Sequence, residues 1–190
     1  MELVLASGSP RRRDLLAGLG LEFTVEPPDV DEARYPDEAP DDYVVRVARS
    51  KAEAVARPEA VVIAADTTVV HDGHVMGKPS HPAEARGMLR RLAGDAHTVY
   101  TGVAVARAEN GTITIETAVA QSVVRFTDLT EAEIAAYVET GEPMDKAGAY
   151  ALQGIGATFV ESVEGSPSNV IGLPMHLAAR LLRSAGIAIL

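Results

Sequence analysis

The sequence predicts an α/β fold, because segments typical of strands alternate along the chain with segments typical of helices. Residues 3–6 form a short apolar run that leads directly into a helix with an apolar face. Residues 60–70 are the most apolar stretch, and their β-branched side chains favour a central strand. Asn110-Gly111 separates two longer strands and is a strong signal for a hairpin.

The other elements follow from periodicity and from turn and capping residues. Asp72-Gly73 predicts a hairpin turn, and Thr130 with Glu133 predicts a capping box at a helix start. The predicted strands are residues 3–6, 21–25, 60–70, 97–107, 112–126 and 159–163. The predicted helices are residues 10–19, 41–57, 82–92, 130–140 and 173–186.

Length and charge limit the classes of protein that fit. A chain of 190 residues is long enough for one domain or two small lobes, and we treat residues 1–190 as a single domain. The net charge of −10 argues against non-specific binding to nucleic acid. No apolar run is long enough for a membrane span, and no signal-peptide pattern precedes the first strand. Without cysteine, disulfides and thiolate catalysis are excluded, and we expect a cytoplasmic protein.

The junction between the first strand and the first helix is suited to an anion. Ser7-Gly-Ser9 leads into the helix, with Ser9 as N-cap and Pro10 at the first helical position. Free N–H groups at a helix N-terminus attract anions. Arg11 and Arg12 face the positive end of the helix dipole, an arrangement that a bound phosphate would stabilise. A solvent-exposed basic turn explains the same residues, and the local sequence does not decide between the two.

Charged residues also interrupt apolar patterns at two places. Lys51 lies on the apolar stripe of the helix predicted for residues 41–57, so its ammonium either extends to water or meets an anion such as phosphate. Asp66 lies within the most apolar strand, where a carboxylate is costly unless it is paired or bound to metal. For Asp66 a functional role is favoured over a structural aspartate at a bulge.

Two loops add further candidate residues. Asp31 and Glu32 offer oxygen ligands for a divalent cation, although an exposed acidic loop explains them as well. Gly77-Lys78-Pro79 is a loop that lacks the glycine spacing of a phosphate-binding Walker loop. Lys51, Lys78 and Lys146 are the only lysines, and every other basic residue apart from histidine is arginine. The three lysines point to positions where a compact charge is wanted, although chance survival explains them as well.

Taken together, these segments resemble the Maf family of nucleoside triphosphate pyrophosphatases over essentially the whole chain. The matching motifs are Ser7-Gly-Ser-Pro-Arg11-Arg12, Asp31-Glu32, Arg49-x-Lys51-Ala52, Ala65-Asp66-Thr67, Gly77-Lys78-Pro79, Asp145-Lys146-Ala-Gly-Ala-Tyr150 and Gln153-Gly154. All three lysines fall within these motifs. The resemblance implies an elongated, twisted, mixed β-sheet flanked by helices, with two lobes and a central cleft.

The resemblance also implies an activity. Arg11, Thr67 and Gln153 match the branch of the family that acts on dTTP and UTP. Members hydrolyse the triphosphate to the monophosphate and pyrophosphate as house-cleaning of the nucleotide pool. They need Mg or Mn and are commonly homodimers.

Roles for the site residues follow from the same resemblance. The catalytic group is expected to be Asp66, Glu32, Lys51 and Lys78, with Asp66 and Glu32 as metal ligands and Asp66 also as the acceptor of the proton from water. The substrate-binding group is expected to be Ser7, Ser9, Arg11, Arg12, Thr67 and Gln153. Within it, Gln153 pairs with the base edge and Thr67 shapes the base pocket. Lys146 either binds phosphate or braces Asp145.

Three alternative functions remain open at this point. The chain could be a nucleotide-binding regulator of cell division and septum formation with little catalysis. It could be a Maf-type pyrophosphatase with a preference for 7-methyl-GTP. It could also be a phosphatase that releases orthophosphate from a phosphorylated metabolite, and the identity of the product separates this class from a pyrophosphatase.

Overall fold

The structure is a computed structural model that describes residues 1–109 and 111–189. Its strands are β1 (Glu2–Leu5), β2 (Thr24–Val25), β3 (Ala60–His71), β4 (His74–Met76), β5 (Ala96–Glu109), β6 (Thr112–Phe126) and β7 (Val160–Glu164). Its helices are α1 (Pro10–Ala17), α2 (Pro40–Val55), α3 (Pro82–Leu92), α4 (Glu131–Glu139), α5 (Pro167–Ile171) and α6 (Met175–Ser184). Three short 3-10 turns lie at Glu142–Asp145, Ala147–Ala149 and Ile155–Phe159.

The strands form a mixed sheet, which confirms the predicted α/β class. Within the described residues the sheet has seven strands in the order β2-β1-β3-β5-β6-β7, with β4 paired to β3 outside this path. β1 is parallel to both β2 and β3, with Leu3 opposite Val61. β4 and β7 pair in antiparallel fashion with β3 and β6. The central strand predicted for residues 60–70 is therefore β3.

The chain divides into two compact units. Unit 1 comprises Met1–Asp66, Thr101–Ala120 and Gly172–Leu190, and unit 2 comprises Thr67–Tyr100 and Gln121–Ile171. Unit 1 contains two buried cores and unit 2 contains one, and the two units are described separately below.

Both faces of the sheet in unit 1 are covered, which explains why its strands are apolar without alternation. Leu3 and Leu5 of β1 enter one core, together with α1 and α6 residues such as Leu16 and Leu181. The next residues along the strands enter a second core against α2. That second core contains Val4, Ala6, Ala48, Ala52, Val55, Ala60, Val62, Ala64, Ala104 and Ala106.

Small side chains bring α2 close to the sheet. The second core is mostly alanine, and Gly102 of β5 lies directly beneath the first turns of α2. A Cβ atom built at Gly102 would lie 2.4 Å from the carbonyl oxygen of Val44. Only glycine permits this approach, which fixes where α2 places its side chains over the sheet.

Unit 2 is built around an aromatic core. His97 and Phe126 stack edge to face with Tyr150, with ring centroids 4.7–5.2 Å apart. The predicted capping box of α4 is present, because Thr130 and Glu133 each accept from the other's backbone N–H. The turn at Asp72-Gly73 is also confirmed, since His71 pairs with His74 and both turn residues have positive φ.

Some predicted boundaries differ from the observed ones. The strand expected over residues 21–25 is reduced to Thr24–Val25, where both side chains are exposed, although Leu21 and Phe23 pack against the core of unit 1. The short helix α5 was not predicted, because five residues are too few to show helical periodicity. Asn110, half of the predicted hairpin signal, lies outside the described residues. Among the described residues, no helix has the length and apolar content that a membrane crossing requires.

Candidate active site

The centre of the candidate site in unit 1 is an ion pair between Lys51 and Asp66. Residues 60, 62 and 64 of β3 face α2, so strand alternation places Asp66 on that same face. Lys51 continues the buried stripe of α2 toward the sheet. The Lys51 ammonium donates to Asp66 Oδ1 at 2.8 Å, and both side chains are less than one tenth exposed.

Glu32 completes this cluster from the acidic loop. Its Oε1 lies 2.9 Å from the Lys51 nitrogen, while its side chain is half exposed. Lys51 therefore does not extend to water but meets anions, and these anions are the carboxylates of Glu32 and Asp66. One ammonium thus compensates the charge that would make the buried Asp66 costly.

The strand-to-helix junction is built as the sequence predicts. Ser9 caps α1, accepting the Arg12 backbone N–H at 3.5 Å, and Pro10 occupies the first turn. The hydroxyl of buried Ser7 accepts from the Ser9 N–H at 3.2 Å and from the Arg12 guanidinium at 3.3 Å. The Arg12 Nε also donates to the Gly172 carbonyl at 2.7 Å. The side chain of Arg12 is therefore held by hydrogen bonds within the fold. It is not freely solvated, as it would be in an exposed basic turn.

Electrostatic interactions connect this junction with the acidic cluster. Burial lowers the pKa of Arg12, the neighbouring Arg11 lowers it further, and the charges of Asp66 and Glu32 oppose both effects. Arg11, Arg12, Glu32 and Asp66 therefore lie near enough to influence one another. Unit 1 thus combines arginines at a helix N-terminus with carboxylates, as expected for a site that handles phosphate and metal together.

Two residues that the sequence analysis did not single out hold the loop that carries Glu32. The Tyr43 hydroxyl donates to the Glu32 carbonyl at 2.9 Å. Burial and the charges of Asp66 and Glu32 raise the pKa of Tyr43 to about 12. Arg46 donates to Glu38 through Nε at 2.6 Å and to the Ala33 carbonyl at 2.8 Å. The sequence could have identified Tyr43, because it lies eight residues before Lys51 and therefore on the same side of α2.

Three predicted site residues belong to unit 2. Thr67 follows Asp66 directly in β3 and is partly buried, whereas Lys78 and Gln153 are exposed. The loop carrying Lys78 is anchored, because the Gly77 carbonyl accepts from the Gly148 N–H at 3.1 Å. The roles of all three in binding and catalysis stay predictions.

Lys146 is engaged within its own segment. Its ammonium donates to the Glu142 carbonyl at 2.6 Å and to the Asp145 carboxylate. Its side chain is only 13% exposed. Of the two roles considered for Lys146, these contacts fit the one in which it braces Asp145.

The donor set of unit 1 fits a hard divalent cation. Mg²⁺ and Mn²⁺ prefer oxygen ligands, and Glu32 and Asp66 offer carboxylate oxygens that both approach Lys51. The exposure of Glu32 leaves the cluster open to solvent, so water can complete a coordination shell. The residues present therefore suit the ion that the resemblance implies.

A second cluster of possible ligands lies in unit 2, although the sequence shows no metal-ligand spacing among the histidines. Within the described part of the chain, His71, Asp72 and Asp95 have ligand atoms within 4.8 Å of one another. The Asp95 carboxylate lies 3.0 Å from Nε2 of His71, whereas Asp72 lies 3.9 Å from Nδ1. The two carboxylates thus face different ring nitrogens, and of the two only the Asp95 carboxylate is within hydrogen-bond distance of the imidazole. This geometry is that of one histidine hydrogen-bonded to one carboxylate.

The fold and the site define an α/β protein that combines a buried carboxylate, a half-exposed carboxylate and two arginines, as expected for an anionic substrate. The family model for Maf-like proteins matches residues 2–185, and the chain belongs to that family. It is 56% identical over 184 residues to a dTTP/UTP pyrophosphatase of Anaeromyxobacter dehalogenans, covering 97% of this chain and 94% of that protein. Proteins with the same name from Hahella chejuensis and Moorella thermoacetica are each 50% identical, with 98% of this chain and 94% and 96% of theirs covered.

Proposed function

We propose that this protein is a nucleoside triphosphate pyrophosphatase that hydrolyses dTTP and UTP to the monophosphate and pyrophosphate. Relatives that are 50% and 56% identical in sequence over nearly the whole chain are named dTTP/UTP pyrophosphatase. The structural observation that carries the proposal is the buried Asp66 carboxylate, held by Lys51 in the electrostatic environment of Arg12. An arginine-rich helix N-terminus next to a carboxylate offers positive charge for the phosphates and an acceptor for the proton of water, which together favour phosphoanhydride hydrolysis.

In the proposed reaction, the oxygen of a water molecule bonds to the α-phosphorus. The bond between that phosphorus and the bridging oxygen breaks, and the electron pair leaves with pyrophosphate. Asp66 accepts the proton of the attacking water. Glu32 and Asp66 would hold Mg or Mn, which when bound neutralises charge on the phosphate oxygens. Lys51 keeps the two carboxylates together.

The remaining roles concern substrate binding. Ser7, Ser9, Arg11 and Arg12 bind the triphosphate through side chains and backbone donors at the start of α1. Lys51 and Lys78 add compact positive charges to the phosphates as pyrophosphate leaves. In the base pocket, shaped by Thr67, Gln153 offers a donor and an acceptor that match the N3 and O4 atoms of thymine or uracil. These assignments extend the family resemblance residue by residue.

The decisive experiment is a panel of nucleoside triphosphates, incubated with the protein and Mg or Mn and resolved by chromatography. We expect dTTP and UTP to give the monophosphate and pyrophosphate in equal amounts. Release of orthophosphate would instead identify a phosphatase, and faster cleavage of 7-methyl-GTP would place the chain in the other branch of the family. Nucleotide binding without any product would favour a regulator of division.

The identity of the catalytic carboxylate is tested by Asp66→Asn. Asparagine has almost the same shape but cannot accept the proton, so turnover should fall by about a hundredfold or more. The thermal melt should show that the variant still folds. Near-normal turnover would contradict the assignment of Asp66.

Base selection is tested by Gln153→Ala. Because the alanine removes only the amide, the preference for UTP over CTP should fall more than the rate of cleavage. Unchanged discrimination between the two nucleotides would argue against this role.

Three further properties are proposals: the homodimer rests on the resemblance, and the location and the choice of partner rest on the composition and charge of the chain as well. We propose that the protein acts as a homodimer in the cytoplasm and that its partner is the nucleotide rather than nucleic acid or membrane. Sedimentation at micromolar concentration tests the dimer, and a monomeric mass would contradict it.

A further inference from the structure

The loop that carries Gln153 in unit 2 is tied to the carboxylate of Glu142. Oε1 of Glu142 accepts from the Tyr137 hydroxyl at 2.8 Å and from the Gly156 N–H at 2.9 Å. Oε2 accepts from the Ile155 N–H at 3.0 Å. One side chain therefore binds two consecutive backbone donors just beyond Gln153.

Tyr137 extends this anchor to the other side of Gln153. Its hydroxyl, which donates to Glu142, also accepts from the Ala151 N–H at 3.3 Å. The Tyr137 ring is buried in the core of unit 2 and packs edge to face on Phe159. The backbone before and after Gln153 is thus held by one tyrosine–glutamate pair that is itself fixed in the core.

The backbone next to Gln153 also lies directly against the Glu142 carboxylate. Gly154 has φ 94° and ψ −152°, a conformation that is essentially restricted to glycine. A Cβ atom built there would lie 2.7 Å from Glu142 Oε2. Conformation and space therefore both demand glycine at this position, and the position of the carboxylate sets the path of the loop.

The charge of Glu142 matches its task as an acceptor. Partial burial raises the pKa of this carboxyl, but the hydrogen bonds from Gly156, Ile155 and Tyr137 outweigh burial and lower it overall. Glu142 is therefore ionised at neutral pH, and both oxygens accept hydrogen bonds. A glutamine would turn its NH₂ group toward at least one donor and lose that bond.

We propose that Glu142 is a positioning residue for base selection, which fixes the backbone on both sides of Gln153 so that the amide meets the pyrimidine edge. The inference rests on the proposed function of Gln153. An exposed glutamine has many rotamers and reads a base well only if its backbone is held still. The chemistry recognised is the N3–H and O4 edge of uracil or thymine.

The test compares Glu142→Gln with Glu139→Gln, a matched change at an exposed position of α4. The quantity measured is kcat/KM for UTP divided by kcat/KM for CTP, with dTTP and dCTP as a second pair. We expect Glu142→Gln to lower this ratio roughly tenfold, mainly because kcat/KM for UTP falls. A misplaced Gln153 amide weakens only the contacts that recognise the base. Glu139→Gln should leave it unchanged. Hydrogen exchange should speed up at residues 151–156 in Glu142→Gln alone.

The outcomes distinguish a failure of the proposed role of Gln153 from a failure of the positioning role of Glu142. If wild type cleaves UTP and CTP equally well, the proposed function of Gln153 fails, and this inference fails with it. If wild type discriminates but Glu142→Gln loses the same factor for both nucleotides, Glu142 is merely structural and the inference is overturned. If Glu142→Gln does not fold, Tyr137→Phe, which removes one donor, serves in its place under the same criterion.

Discussion

The Lys51 ammonium of α2 and the Asp66 carboxylate of β3 form a buried ion pair at 2.8 Å. Both residues interrupt an apolar pattern, and each provides the charge that the other lacks. A buried ion pair adds little to the free energy of unfolding compared with an apolar pair of the same size. Removing only one of its partners, however, destabilises the fold strongly, because the other charge stays buried and unpaired. The charge of Lys51 also holds the Asp66 carboxylate in place for the reaction proposed above.

The first prediction concerns the stability of this pair. Lys51→Met keeps the length of the side chain but leaves Asp66 buried without its cation, so unfolding free energy should fall by about 3–5 kcal/mol. The double variant Lys51→Met with Asp66→Asn should recover part of this loss, because the unpaired charge is gone. Urea denaturation of wild type, Lys51→Met and the double variant measures the three unfolding free energies.

The control for this cycle is Arg49→Met on the same helix. Arg49 pairs with Glu53 four residues on, but both side chains are about half exposed. Exposed pairs contribute little, so the change should stay within about 1 kcal/mol. Equal losses for Lys51→Met and Arg49→Met would contradict the buried pair.

Much of the fold, and each half of this pair, could be predicted from local patterns. The apolar stripe of α2 predicts that Lys51 points inward, and the apolar run of β3 predicts that Asp66 is buried. Capping residues predict the starts of α1 and α4, at Ser9 and Thr130. These features depend on residues within one or two turns of each other, so the sequence alone contains them.

The partners of these residues could not be predicted, because they depend on which helix covers which face of the sheet. No local pattern indicates that α2 packs over residues 60, 62 and 64 of β3. The contact between Lys51 and Asp66, and the further contact of Lys51 with Glu32, could therefore not be predicted. Arg46 was missed because polar residues on a helix surface are common. Asn169 was missed too, although it is buried and donates to Val99 O and Ser122 Oγ.

The second prediction concerns the acidic loop. Arg46 lies over the Tyr35 ring at 4.0 Å and binds Glu38, whose Oε2 accepts the Tyr35 N–H at 3.1 Å. Arg46→Ala should therefore release the loop, so that residues 31–38 exchange amide hydrogens at least about tenfold faster. Because Glu32 belongs to this loop, turnover should fall as well.

Arg46→Lys and Arg49→Ala serve as comparisons for the loop. The Arg46 guanidinium donates to both oxygens of Glu38, through Nε at 2.6 Å and Nη2 at 2.9 Å. A lysine keeps the charge but cannot form both contacts at once, so it should restore only part of the protection. Arg49→Ala should not affect exchange in residues 31–38. Full protection in Arg46→Ala would show that the loop is held by other contacts.

The third prediction concerns the contact between α2 and β5. Gly102→Ala places a methyl group against the Val44 backbone, which is not a flexible side chain that can move aside. The helix must shift, at a cost of about 1–3 kcal/mol in unfolding free energy. Turnover should fall too, because α2 carries Lys51 and Tyr43. Gly87→Ala in the interior of α3 is the control, because a Cβ atom there would have nothing within 4 Å, and it should raise stability by roughly 0.5–1 kcal/mol.

The fourth prediction concerns pH and rests on His97 in the core of unit 2. Burial, followed by the charge of His71, lowers the pKa of His97 to about 4 from 6.5. The unfolded chain therefore binds a proton between these values that the folded chain does not, so stability falls as pH drops from about 6.5 to 4. The loss amounts to roughly 3 kcal/mol. In His97→Gln, which cannot titrate, this part of the pH dependence should vanish while that of the carboxylates remains. A constant difference in unfolding free energy between wild type and His97→Gln from pH 7 to 4 would refute the prediction.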